Sequence, residues 1–256
     1  MLQPSRNVKL RRFRFISTVI AVAVVGSIGL TTASAHAPLT GRTPAADSIV
    51  TKMPGSINVS VMDDGIGNNP ADYVHLLDKK GVNLAGTMTT MAMGDGTMLM
   101  SKPQTTAKGW YAVNWGVTFS DGHWSQDSLP PWWAFGVGVT TPKSSSAKVA
   151  LTSPTSKRST ATISGKKIGQ RTLTLSVAGT TLGSVTWTLV SASGGTAQNL
   201  VGAVFTWAMN TSTASPKTAK AIGILPFAGV YQASLTLQSL KTNTSLQYTG
   251  SVSIGS

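Results

Sequence analysis

"GWYAVNWGVTFSDGH", residues 109–123, decides the reading of the fold. Tyr111, Val113, Trp115, Val117 and Phe119 recur at every second position. That is the period of a strand with one face in a core. Asp121 and His123 continue the same parity, so an extended chain aims both side chains one way. Gly122 between them lets the backbone bend without a Cβ clash. Taken alone, Asp-Gly-His is also what an ordinary turn looks like.

Working outward, helix signals are nearly absent. "SINVSVM" (56–62) alternates, with Ile57, Val59 and Val61 on one face. "DYVHLLD" (72–78), "TMLMS" (97–101) and "WWAFGVGV" (132–139) are further strands. Short alternating runs between turn residues predict an all-β chain built as a β-sandwich. Trp115 belongs to its core. His75 reads as a solvated strand histidine. At residue 140 the composition shifts. Residues 140–167 are rich in Ser, Thr and Lys and read as a linker, with one weak strand near Val149 to Leu151. Residues 168–256 then supply "RTLTLSVAG" (171–179), "SVTWTLVSA" (184–192), "VGAVFTWAM" (201–209), "GVYQASLTLQ" (229–238) and "SLQYTGSVSI" (245–254). These predict a second, β-sandwich-like module.

The chain opens with a basic leader (Arg6, Lys9, Arg11, Arg12, Arg14), an apolar run from Phe15 to Leu30, and Ala33-Ser34-Ala35. That is the layout of a secretory signal peptide over residues 1–35. The apolar run is shorter than the roughly 20 residues of a membrane span. Cleavage after Ala35 would make His36 the first residue of a periplasmic or secreted protein. There is no cysteine, so a soft metal ligand here has to be methionine. All 8 acidic residues, every one an Asp, lie in residues 36–140, and residues 141–256 hold 10 Lys/Arg and no acid. The lysines look scattered along the sequence. A solvated surface explains them, and weak contact of the basic C-terminal module with an anionic envelope is the sharper alternative. No nucleic-acid-binding motif is present.

A free N-terminal histidine offers its α-amine and a ring nitrogen to one metal. The amine's reference pKa is about 7.7–8.0, so a Lewis acid displaces its proton at modest cost. Cu(II) heads the divalent affinity order and prefers tetragonal N/O sites. His36, His123 and Asp121 would together supply such a plane. Met88, Met91, Met93, Met98 and Met100 fall within one short stretch, five of the chain's nine methionines. Thioethers suit Cu(I), but methionine also fills core gaps. Met98 and Met100 alternate within a strand and read as core. Met88, Met91 and Met93 read as exposed and are the candidate Cu(I) ligands.

"AHAPLTGRTPAADSIVTKMPGSINVSV" and "GWYAVNWGVTFSDGH" resemble the two ends of the CopC copper-resistance family, over about residues 36–139. The resemblance implies an Ig-like Greek-key β-sandwich or barrel that carries Cu(II) in the periplasm. It places the family's N-terminal His, its Asp and its second His on His36, Asp121 and His123. It puts Asp63 where a supporting Glu would stand. The "WSQDSLPPWWAF" stretch after His123 is longer than the family's link, and the second module lies outside the family's minimal pattern. The leading reading is a carrier or buffer that exchanges copper with a membrane copper transporter or copper chaperone, and not an enzyme. Two rivals stay open: a copper-dependent oxidative enzyme of monooxygenase type, and a metal-free envelope scaffold or adhesion module.

Overall fold

The computed structural model describes residues 39–63, 66, 69–125, 130–140, 146–154, 158–164, 167–176, 181–211, 218–239 and 245–256. The leader and His36 lie outside the described residues. The first eight strands are β1 (Leu39–Thr43), β2 (Ile49–Val50), β3 (Ile57–Val61), β4 (Tyr73–Leu77), β5 (Ala85–Met93), β6 (Gly96–Pro103), β7 (Gly109–Gly116) and β8 (Trp132–Val137). They form two four-stranded sheets, ordered β1-β3-β6-β5 and β2-β8-β7-β4. Ile57, Val59 and Val61 meet Tyr111, Val113, Trp115, Val117 and Phe119 in one core between the sheets. The alternation read from the sequence is therefore the inward face of a β-sandwich.

The other face of β7 is buried as well. Ala112 and Ala134 belong to the core of the second module, and Trp110, Trp132 and Leu77 pack against it. Two alanines on that face let a neighbouring module approach closely.

The remaining strands are β9 (Ser146–Thr152), β10 (Arg158–Ser164), β11 (Gly169–Ser176), β12 (Thr181–Ala192), β13 (Val204–Thr211), β14 (Thr218–Leu225), β15 (Gly229–Ser239) and β16 (Ser245–Ile254). They close into an eight-stranded barrel, ordered β10-β11-β14-β13-β12-β15-β16-β9. So the second β module is a closed barrel rather than an open sandwich. Closure removes both free sheet edges. Its inner positions carry Leu173, Trp187, Phe205, Trp207, Tyr231 and Leu235, all buried. Its outer positions are mostly Ser, Thr, Gln and Lys. A membrane-spanning barrel has the opposite pattern, apolar outward.

The stretch read as a linker departs most from expectation. Its described residues form β9 and β10, two staves of the barrel. Each strand buries a pair of side chains, Val149 with Leu151 and Ala161 with Ile163. Within these two strands Ser146, Lys148, Thr152, Thr160, Thr162 and Ser164 take outward positions. β14, "TAKAIGIL", has no counterpart in the sequence reading for a similar reason: Ala219 and Ala221 are its small inward residues. They face large neighbours, as Gly223 does, because a Cβ on Gly223 would strike the indole of Trp207.

Asp47 stitches the sandwich to the barrel. Its backbone sits at φ 61, its amide donates to the Ala134 carbonyl at 2.8 Å, and its Oδ1 accepts from the Ile224 amide at 2.8 Å. A second stitch runs from the Ala197 amide to the Lys79 carbonyl, 3.0 Å.

Candidate metal centre

Beyond β7 the chain does not stay extended through Asp121 and His123. It turns at Ser120–Gly122, with Gly122 at φ 85. The Gly122 amide donates to the Phe119 carbonyl and the Phe119 amide to the His123 carbonyl, each at 2.9 Å. The Ser125 amide returns to the Val117 carbonyl at 2.8 Å, and the Ser125 hydroxyl accepts from the Val117 amide at 2.9 Å. Asp121 and His123 still come together, but through this turn and not through strand parity. His123 Nδ1 lies 3.2 Å from Asp121 Oδ2, and Asp121 Oδ1 accepts from the His123 amide at 3.0 Å. Both side chains reach solvent, at 59% exposure for His123 and 34% for Asp121.

Two further carboxylates hold the turn from outside. Asp63 Oδ2 accepts from the Ser120 amide at 3.1 Å and from its hydroxyl at 2.9 Å. Asp72 Oδ1 accepts from the Thr118 amide at 2.8 Å, and the Asn69 side-chain amide donates to the Thr118 hydroxyl at 3.0 Å. Asp63 thus sits beneath the turn, where the resemblance puts a supporting acid. Asp72 has no such cue in the sequence; only its place just before β4 hints at it. Among the described residues, no group of three or more His, Cys, Asp or Glu could hold a metal ion. The Asp121–His123 pair offers one imidazole and one carboxylate, and a closed copper plane needs further donors.

His75 is not a freely solvated strand residue. It stacks on Tyr73 with ring centroids 4.3 Å apart, and Tyr73 lies 6.1 Å from Trp124. Burial pushes its imidazole below the usual histidine pKa, so it stays neutral at neutral pH. Its side faces the barrel, in register with Asn114 on β7.

The methionines are arranged differently from the sequence reading. β5 and β6 pair with Met91 opposite Met98, Thr89 opposite Met100 and Met93 opposite Gly96. Paired residues share a face, and Leu99, two along from neither of these, points into the core. Met91, Met93, Met98 and Met100 therefore lie on the outward face of the sheet. Met98 and Met100 are half-buried there, and Met91 and Met93 are 46% and 45% exposed. Met88 packs against the core instead. Met62, just past β3 and 46% exposed, joins the outward group. Its Cα is 3.2 Å from where a Cβ on Gly96 would sit. The sequence missed Met62 because it stands alone, 26 residues before the cluster.

The sandwich carries an imidazole–carboxylate turn at one end and a methionine-rich outer face. Residues 39–130 match the family model of the CopC domain. The crystal structure of CopC from Methylosinus trichosporium OB3b is similar to it, at 23% sequence identity over 40% of this chain and 93% of that one, with a TM-score of 0.32. No curated protein matches the chain.

Proposed function

We propose that the chain is an exported copper carrier or buffer that holds Cu(II) through His36, Asp121 and His123. Residues 1–35 act as the signal peptide, and cleavage frees the His36 amine in the periplasm or outside the cell. The observation that carries this reading is the Asp121–His123 pair, set 3.2 Å apart on a turn fixed by Asp63 and Asp72 within the stretch that matches the CopC domain. A carboxylate and an imidazole already in place reduce the ordering that a metal has to impose. Their hydrogen bond breaks as the metal takes its donors. The copper is cargo, exchanged with a membrane transporter or chaperone.

A second, soft site is favoured by the outward methionine face. Met91, Met93 and Met98 with Met62 form the set suited to Cu(I), with Met88 replaced because it packs against the core.

Cu(II) titration of the mature protein tests the first site. Tryptophan fluorescence should fall with one equivalent of copper, since Trp124 adjoins His123. His36→Ala should weaken binding strongly while the near-ultraviolet circular dichroism stays unchanged. Unaltered affinity in that variant removes His36 from the ligand set. A monooxygenase reading would require the copper-loaded protein to turn over peroxide with ascorbate; the carrier reading predicts no sustained turnover. Absence of any copper effect would leave the metal-free scaffold.

A further inference from the structure

The basic residues of the second module look scattered in sequence, but strand order gathers them. Within its strands, Lys and Arg occur on β9 (Lys148), β10 (Arg158), β11 (Arg171) and β14 (Lys220). Strands β12, β13, β15 and β16 carry none. The first four are consecutive around the barrel, β9-β10-β11-β14. Among the described strand residues the charge therefore lies on one arc, and the strands of the other arc carry none. Arg171 points inward and is buried; Lys148, Arg158 and Lys220 are exposed. Lys167, also exposed, leads into β11. No carboxylate in residues 141–256 neutralises them.

The register makes this arc more than a charged area. Lys148 pairs with Thr162, Thr162 with Thr174, and Thr174 with Lys220. Cross-strand partners share a face, so these four side chains form one transverse row across four strands. Three strand spacings of about 4.8 Å put the two lysine positions about 14 Å apart, with threonine hydroxyls between them. A parallel row follows with Ser146, Ser164 and Thr172. Ammonium groups spaced along hydroxyl rows match a chain that carries both negative charges and hydroxyl groups.

We infer that the β9-β10-β11-β14 arc is a docking surface for an acidic polysaccharide. An anionic membrane fits less well. Membrane adhesion uses apolar anchors beside the cations, and Ile222 is the large apolar side chain exposed on this arc among the described residues. Most of the remaining outward positions are Ser or Thr, with Ala150 on β9 and Gln170 on β11, and their hydroxyls can exchange hydrogen bonds with sugar hydroxyls and carboxylates. Such docking would hold the sandwich at the cell envelope by a surface remote in sequence from the copper ligands.

The test uses the mature full chain and three probes: polygalacturonate, neutral dextran, and phosphatidylglycerol/phosphatidylcholine vesicles. Polygalacturonate should bind and dextran should not. Binding should weaken as salt rises from about 20 to about 300 mM, as charge screening requires. The triple variant Lys148→Gln/Arg158→Gln/Lys220→Gln should lose about tenfold or more in affinity, because it removes the arc's exposed steering charges. Removing three exposed charges from the sandwich (Lys52→Gln/Lys79→Gln/Lys102→Gln) should change it less than about twofold. Each single substitution on the arc should also weaken the complex, so the result does not depend on the triple variant folding. Equal losses in the two triple variants, no binding to polygalacturonate, or binding confined to the vesicles would overturn the assignment.

Discussion

Asp63 Oδ2 accepts two hydrogen bonds from Ser120, one from its amide and one from its hydroxyl, at 3.1 and 2.9 Å. The two residues are 57 positions apart. The contact ties the end of β3 to the turn that presents Asp121 and His123. It also places Met62, the residue before Asp63, on the same end of the sandwich as the proposed Cu(II) ligands.

Breaking this tie should loosen the ligand pair without dismantling the sandwich. Asp63→Ala is expected to cost about 1–2 kcal/mol of stability, as two hydrogen bonds to a partly solvated carboxylate would. It should also lower Cu(II) affinity several-fold. Urea denaturation with copper titration checks both, and Ser120→Ala should reproduce a smaller version of each effect.

Asp47 makes the stability depend on pH. Burial raises its carboxyl to about 6, against the lowering pull of the Ile224 amide hydrogen bond and of Arg42. In the unfolded chain the group titrates near 3.8. Between those values the folded state holds a proton that the unfolded state has released, so stability falls as pH rises from about 4 to about 6 and levels off above. Asp47→Asn keeps an oxygen for the Ile224 amide and suits the positive φ. It should flatten this slope and stabilise the protein at pH 7.5, by at most about 3 kcal/mol. Denaturation midpoints at pH 4, 5, 6 and 7.5 measure it; an unchanged slope would contradict the role given to Asp47.

Gly223→Ala tests the packing of the barrel. The added methyl meets the Trp207 indole, a rigid ring that has to move as a whole. A loss of about 1–3 kcal/mol is expected, the usual cost of overpacking a filled core. Thermal unfolding followed by near-ultraviolet circular dichroism reports it.

If the outward methionines hold Cu(I), the two oxidation states of copper part at separate sites. Met91→Leu/Met93→Leu keeps volume and burial close to native but removes two thioethers. Cu(I) binding, followed by competition with a chromophoric Cu(I) chelator, should weaken by about tenfold or more, while the Cu(II) titration stays the same. Equal Cu(I) binding by the variant would leave these methionines as surface residues only.

The parts of this fold that a strict alternation of large apolar residues marks were legible in the sequence. β3, β7, β15 and β16 are such strands, and Tyr111 to Phe119 are core residues as their spacing requires. β10 and β14 were hidden because small residues fill inward positions, Ala161, Ala219 and Ala221 among them, and β9 was legible only as a weak strand near Val149 to Leu151. In a closed barrel a small residue on one strand is offset by a tryptophan on another, and one strand's composition does not record that exchange. At the site, the pairing of Asp121 with His123 was legible and its cause was not. Parity suggested an extended strand, while Gly122 at φ 85 makes a turn. The methionine split failed for a related reason. Alternation tells which residues share a face but not which face points inward; Thr97, Leu99 and Ser101 took the core side of β6 and left Met98 and Met100 outside.

In the proposed cupric site the amine of residue 36 completes the ligand set. The most direct measurement is electron paramagnetic resonance of one equivalent of Cu(II) on two proteins, one beginning at His36 and one carrying a single extra alanine before it. The first should give a tetragonal signal with nitrogen couplings from the amine and two imidazoles. The second should give an altered signal and an affinity lower by about a hundredfold, as loss of one chelate nitrogen implies. Identical spectra and affinities would contradict that ligand set.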